Sequence, residues 1–199
     1  MAAIEFWFEF ASTYSHPAAQ RIARHAAERG LGVIWRPFLL GPIFAAQGWN
    51  DSPLNLYPAK GEHMWRDLAR VCEGHGVYFR RPSSFLRNGL LGARVCVAAE
   101  DQPWMPDFAR SLYRANFVDD LDTSREDVVG RALRAVGQAA EPWLARAAEA
   151  TIKTRLRVQT ERAQSLGIFG APSFIVGDEL FWGDDRLEAA LDHAAWKLW

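Results

Sequence analysis

The sequence predicts an α/β chain in which a small βαβ…ββα framework is interrupted by a large all-helical insertion. Three observations carry this. A strand-like, a helix-like and a second strand-like segment follow one another within about 35 residues of the N-terminus. About a hundred central residues then show helical periodicity and few strand signals. Finally, two short β-like runs joined by Gly177-Asp178 lead into a last amphipathic segment. On this reading residues 1–60 and 167–199 form the α/β domain and residues 61–166 the helical insertion.

Each element has its own signal. Ile4, Phe6, Phe8 and Phe10 alternate with Glu5, Trp7 and Glu9, the period of two expected of a strand with one buried face. The loop Ala11-Ser-Thr-Tyr-Ser-His-Pro17 follows, with Ser15 placed to cap a helix and Pro17 in its first turn. The helix runs over residues 18–29 and is stopped by Gly30 and Gly32. Val33-Ile34-Trp35-Arg36 reads as the second strand, ended by Pro37, so the unit is a parallel pair with a right-handed crossover. In the middle, Thr123-Ser-Arg-Glu126 reads as a capping box before Val128, Val129, Leu133 and Val136. Pro106 and Pro142 suit first turns, and residues 142–164 read as one long helix with Leu144, Ala147, Ala148, Ile152 and Leu156 on one face. Ser173-Phe-Ile-Val176 and Glu179-Leu-Phe-Trp182 form a hairpin broken by Gly183. Asp184 can cap a helix carrying Leu187, Ala190, Leu191 and Ala194.

Composition narrows the function classes. With 23 Lys+Arg against 24 Asp+Glu in 199 residues, there is no basic footprint for nucleic acid. An apolar fraction of 49% at a net charge of -1 is opposite to a disordered signature. Two cysteines cannot build a disulfide framework, and Cys72 and Cys96 lie in apolar helical surroundings that suit buried thiols. No stretch approaches the roughly 20 apolar residues that span a bilayer. The first ten residues lack a basic region followed by a long apolar run, so a cytoplasmic protein is expected. Nine Trp are a surplus that a deep core or an aromatic-lined pocket would absorb. His25, His63, His75 and His193 show no metal-ligand spacing.

The outline resembles a thioredoxin-like fold with a helical insertion, as in the DsbA-like group. Gly170-Ala171-Pro172 stands directly before the third strand, where that fold places a cis proline that would hold the Ala171 backbone toward the first helix. Where thiol oxidoreductases of the fold carry Cys-x-x-Cys, this chain has Ser12-Thr13-Tyr14-Ser15. Disulfide exchange needs an attacking thiolate and a second sulfur, so that chemistry is excluded at this loop. A hydroxyl at a helix N-terminus can instead donate to an anion such as a ligand thiolate.

Several ordered motifs sharpen the resemblance: Phe8-Glu-Phe-Ala-Ser12-Thr-Tyr-Ser15, Arg36-Pro-Phe-Leu-Leu-Gly-Pro-Ile-Phe44, Tyr57-Pro-Ala-Lys-Gly61, Gly170-Ala-Pro-Ser-Phe174 and Trp182-Gly-Asp-Asp-Arg-Leu187. With these the chain resembles, over essentially its whole length, the 2-hydroxychromene-2-carboxylate isomerases, relatives of the kappa-class glutathione transferases. The resemblance implies a glutathione cofactor, a small aromatic ketoacid substrate and a homodimer serving aromatic hydrocarbon catabolism, with neither nucleic acid nor membrane as partner. It implies that Ser12 contacts the glutathione sulfur. It also implies that Asn50, Ala171, Pro172, Asp184 and Asp185 bind the rest of the tripeptide. Phe38, Phe44, Trp49, Trp65, Phe85 and Trp182 are candidates for an aromatic slot, and Lys60, Arg81, Arg87 and Asn88 for polar contacts. Many relatives have Pro after the serine, where this chain has Thr13, and His16-Pro17 replaces larger apolar residues.

The implied chemistry is reversible addition of the glutathione thiolate to an enone, rotation about the former double bond and elimination. Three alternatives stay open. A transferase that releases the adduct would use the same site. A serine hydrolase would pair Ser12 with His16, although no Gly-x-Ser-x-Gly elbow is present. A non-catalytic glutathione-binding protein would keep the last-helix site and tolerate loss of Ser12.

Overall fold

In the computed structural model, which describes residues 3–49 and 51–196, a four-stranded sheet of order β2-β1-β3-β4 forms the centre. Strand β1 (Ala3–Phe8) pairs in parallel with β2 (Gly32–Pro37), and helix α1 (Ser15–Ala27) makes the crossover between them. The other edge of β1 pairs antiparallel with β3 (Ser173–Val176), Phe6 opposite Phe174. The hairpin to β4 (Glu179–Trp182) turns at Gly177, whose φ of 64° only glycine adopts freely.

A central strand with helices on both faces is buried on both faces. The alternation expected of β1 is therefore overridden. Ile4, Phe6 and Phe8 face the larger core, against α1 and the central helices. Trp7, expected on a polar face, is fully buried in a second cluster with Phe38, Ile43, Ala163, Ile168 and Ile175. Full burial of an aromatic or aliphatic side chain of this size contributes roughly 1.5–3 kcal/mol each. Glu5 takes part in the polar rim, accepting from Arg36 and Arg162.

The helices between β2 and β3 run in order α2 (Leu40–Ala46), α3 (Pro53–Leu56), α4 (Pro58–Gly74), α5 (Leu90–Ala98), α6 (Met105–Phe117), α7 (Glu126–Ala135), α8 (Ala140–Ala147) and α9 (Ala150–Ser165). The single long helix expected over 142–164 is two. Glu149 is extended at φ -60°, ψ 144°, between α8 and α9. The break lets α8 pack on α5 and α7 while the far end of α9 turns to deliver Ala163 to the second core.

Three expected caps are also moved. The α7 helix begins after Arg125, because Asp122 rather than Thr123 captures the local donors, accepting from Ser124 N–H at 3.0 Å and Ser124 Oγ at 2.7 Å. Glu126 and Asp127 then sit favourably against the helix dipole. Ser15 is the first residue of α1 rather than its cap, and its hydroxyl is buried. Asp184 opens a short 3-10 turn (Asp184–Arg186) ahead of α10 (Leu187–Trp196) and makes no capping bond. Leu187, Ala190, Leu191 and Ala194 are buried as the pattern predicted. Among the described helices, none is long and apolar enough to cross a membrane.

Candidate active site

The chain leaves β1 through a tight turn in which Ser12 N–H donates to Glu9 O at 3.0 Å. The turn brings Ser12 to the start of α1, where unpaired N–H groups and the helix dipole favour negative charge. Ser12 Oγ donates to Ala171 O at 2.8 Å and lies 3.4 Å from the Ser15 N–H. The hydroxyl therefore joins the two parts of the sequence that the motifs singled out. The Ala171–Pro172 bond is cis, as expected. Tyr14 donates to Asp67 Oδ2 at 2.6 Å and ties this turn to α4.

Ser12 and Ala171 open on a cavity of about 870 Å³. One wall is Leu40 and Phe44 of α2 with Trp49 just beyond it, the Phe44 and Trp49 rings lying 5.7 Å apart. A second comprises Met64 of α4 and Phe85, which packs edge-on against Trp65 at 5.0 Å. A third is the pair Phe169 and Trp182, with ring centroids 4.8 Å apart and Trp182 52% exposed. Gly170 has no room for a side chain, since a Cβ there would strike the Trp182 indole. The cavity is mostly apolar, with polar groups gathered near the turn, the arrangement of a small-molecule site.

The structure thus brings Ser12, Ala171, Trp49, Phe85, Asn88, Phe44, Lys60, Arg87 and Trp182 to one cavity. Their roles differ in availability. Asn88 Oδ1 accepts from Leu90 N–H at 2.8 Å at the start of α5. Arg87 is buried and committed to the Asp120 carboxylate, Asn116 and the Leu121 carbonyl, so its charge braces the wall.

Other expected residues lie elsewhere. Phe38 is fully buried under the sheet against Trp7, not in the slot, because it follows β2 on the face toward the second core. Trp65 is a core residue behind Phe85, and Arg81 lies over it while bound to Glu62. Pro172 is buried and does not line the cavity. Asp184 is not a free ligand group either. It is buried and accepts from Arg21 Nη2 at 2.7 Å, and burial still holds its carboxyl above the usual range. Asp185 is exposed, paired with Arg186 at 3.0 Å, and outside the cavity lining. Asn50 lies outside the described residues.

His16 does not share the cavity with Ser12. Its ring is buried on the far side of α1, where Nε2–H donates to Tyr78 O at 2.9 Å. Burial pushes the imidazole down to about 4. A neutral, tethered ring facing away from Ser12 removes the support for a Ser–His hydrolase.

The sequence reading missed Glu9 and Phe169. Glu9 looked like the polar face of a strand, but it follows the last residue of β1, where the turn folds its carboxyl inward. It lines the cavity, 8% exposed, with Oε2 accepting from Ala11 N–H at 2.9 Å. Burial raises its pKa to about 7 against the opposing backbone hydrogen bonds. Phe169 was visible only as the neighbour of the Gly170-Ala171-Pro172 motif. Both cysteines are buried and outside the cavity lining, with burial pushing Cys72 up to about 12. Among the described residues no cluster of His, Cys, Asp and Glu could hold a metal ion.

Known proteins of similar sequence and fold span nearly the whole chain. The chain is 26% identical over 186 residues to a 2-hydroxychromene-2-carboxylate isomerase of Sphingobium xenophagum, covering 93% of this chain and 94% of the relative. It is 25% identical over 206 residues to glutathione S-transferase kappa 2 of Caenorhabditis elegans, covering 96% and 91%. The solved structure of a 2-hydroxychromene-2-carboxylate isomerase superposes with a TM-score of 0.86 at 24% identity, over 98% of this chain and 95% of that one. The family model of the DSBA-like thioredoxin domain matches residues 3–195, and the chain belongs to that family.

Proposed function

We propose that this chain is a glutathione-dependent isomerase. It would interconvert 2-hydroxychromene-2-carboxylate-type hemiketals and o-hydroxybenzylidenepyruvate-type enones. The observation that carries the reading is a serine hydroxyl, rather than a thiol, at the start of α1. It is hydrogen-bonded to the carbonyl before the cis proline, at the edge of a large aromatic cavity. When bound, glutathione supplies a nucleophilic sulfur that adds reversibly to the conjugated carbon of the enone.

The chain's own groups fit that cofactor. Ser12 Oγ, released from Ala171 O, donates to a sulfur anion at the positive end of the α1 dipole. That exchange also frees the Ala171 carbonyl for an amide of the tripeptide, so one hydrogen bond replaces another. The γ-glutamyl ammonium is drawn to Asp185, whose exposed pair with Arg186 can exchange, whereas Asp184 is buried against Arg21. Phe44, Trp49, Phe85 and the Phe169–Trp182 pair enclose the aromatic substrate and exclude water.

The test is glutathione-dependent isomerisation followed by absorbance, with Ser12→Ala beside the wild type. We expect kcat to fall about 100-fold, the typical cost of removing one preorganised donor to a developing anion. Unchanged turnover would remove Ser12 from the mechanism. A second reading, a kappa-like transferase that conjugates electrophiles, is favoured by the full-length similarity to the Caenorhabditis elegans relative. It predicts accumulation of a stable conjugate with a model electrophile in place of isomerisation.

A further inference from the structure

We infer that Glu9 is the proton-holding group of the cavity: its carboxyl takes the proton that leaves the ligand thiol beside Ser12 and returns it to the sulfur when the thiol is eliminated. This deepens, and rests on, the glutathione reading above.

The geometry is specific. Glu9 and Ser12 are the two ends of one hydrogen-bonded turn, and both line the cavity. The turn clamps one carboxyl oxygen, Oε2, through Ala11 N–H. Its other oxygen faces Gly89. A Cβ built there would fall 3.2 Å from Oε1 and 2.6 Å from Phe10 Cβ, so any larger residue would displace the wall beside the carboxyl. Glu9 therefore presents a carboxyl held by the turn, with Oε2 on the Ala11 N–H and Oε1 toward Gly89, at the polar end of a ligand site. Ser12 cannot serve in this role, because a neutral hydroxyl is far too weak a base to hold an additional proton near neutrality.

The surroundings favour a carboxyl that changes state near neutrality. Burial raises it to about 7, near the optimum for a group that both accepts and returns a proton at physiological pH. Tyr113 of α6 packs behind it and donates to Glu9 O at 2.8 Å. The phenol stays neutral, because burial and the Glu9 charge both oppose its ionisation. The other titratable groups lining the cavity are Tyr14, Asp51, Lys60, His63 and Arg87, and Arg87 is held by Asp120. The proton balance closes without a further reagent. The S–H bond breaks with its electron pair left on sulfur, an O–H bond forms on the Glu9 carboxyl, and elimination of the sulfur reverses both.

The experiment is titration calorimetry of glutathione into the wild type, Glu9→Gln and Glu9→Asp. Buffers of different ionisation enthalpy report protons released per site. Gln keeps the size and can still accept from Ala11 N–H, and Asp keeps the carboxyl. At pH 7.5 we expect the wild type and Glu9→Asp to release well under half a proton, and Glu9→Gln about one. We also expect Glu9→Gln to lower kcat about 100-fold and to erase the limb near pH 7 in kcat/KM. Equal proton release by wild type and Glu9→Gln, with glutathione bound to both, overturns the role of Glu9 and leaves the glutathione reading standing. No binding of glutathione to the wild type overturns both.

Discussion

Replacing Arg21 with Met probes the tie between α1 and the turn that precedes α10. In the native chain Arg21 Nη2 donates to Asp184 Oδ1 at 2.7 Å, with the two side chains 5% and 4% exposed. A longer contact of 3.8 Å reaches Glu188. Met keeps much of the stem and removes the charge, which leaves Asp184 as a buried carboxylate with no counter-ion. Breaking a buried pair in this way costs roughly 3–5 kcal/mol. The pH dependence has a definite sign. Burial already lifts Asp184 against the pull of Arg21, and losing the guanidinium lifts it further. A carboxyl whose folded pKa exceeds its unfolded one loses stability as pH rises from the unfolded value through the folded value. The deficit of Arg21→Met should thus be small at about pH 4.5 and full at about pH 8. Urea denaturation at both pH values measures it. Adding Asp184→Leu should recover most of the loss, since an apolar pair of similar volume is tolerated where a lone charge is not. A deficit below about 1 kcal/mol at pH 8, or one equal at both pH values, would refute the buried-pair argument.

Two further outcomes are expected. Gly92→Ala places a Cβ against Leu112 Cδ2 and the Phe10 ring between α5 and α6. It should destabilise by about 1–3 kcal/mol in thermal unfolding, as overpacked cores do, and a rise in Tm would contradict the packing described. Cys72 and Cys96 are both buried with their thiols pushed up, Cys72 to about 12. A disulfide reagent should therefore titrate neither in the native protein and both in urea, and rapid native labelling would contradict their burial.

Local signals were legible wherever one residue decides one local event. Gly30 and Gly183 adopt positive φ where the sequence placed breaks, and the hairpin turn at Gly177 follows its residue chemistry. The Ser12 and Ala171 ends of the site were readable as motifs, though not the hydrogen bond between them. What stayed hidden depends on neighbours far along the chain. Trp7 is buried because α9 and α2 cover the second face of the sheet, which no period-two pattern encodes. Phe38 is hidden by the same layer. Asp184 had the residue type and position of a cap, but Arg21, 163 positions earlier, offers it a stronger partner. Glu9 illustrates the reverse: an ordinary carboxylate by sequence, made unusual by the turn and by the wall at Gly89.

The sheet order has a consequence for synthesis. Strand β1 emerges first and finds β2 and α1 within the next thirty residues or so, but its other edge pairs with β3, which ends at Val176. At translation speeds of 5–20 residues per second that edge waits roughly 10–30 s for its partner. During the interval a row of unpaired backbone groups beside Phe6 and Trp7 is an open template for another nascent chain. The protein's vulnerability to aggregation is thereby concentrated before β3 is made, and a ribosome-bound holdase that shields the Ile4–Phe8 segment would protect it.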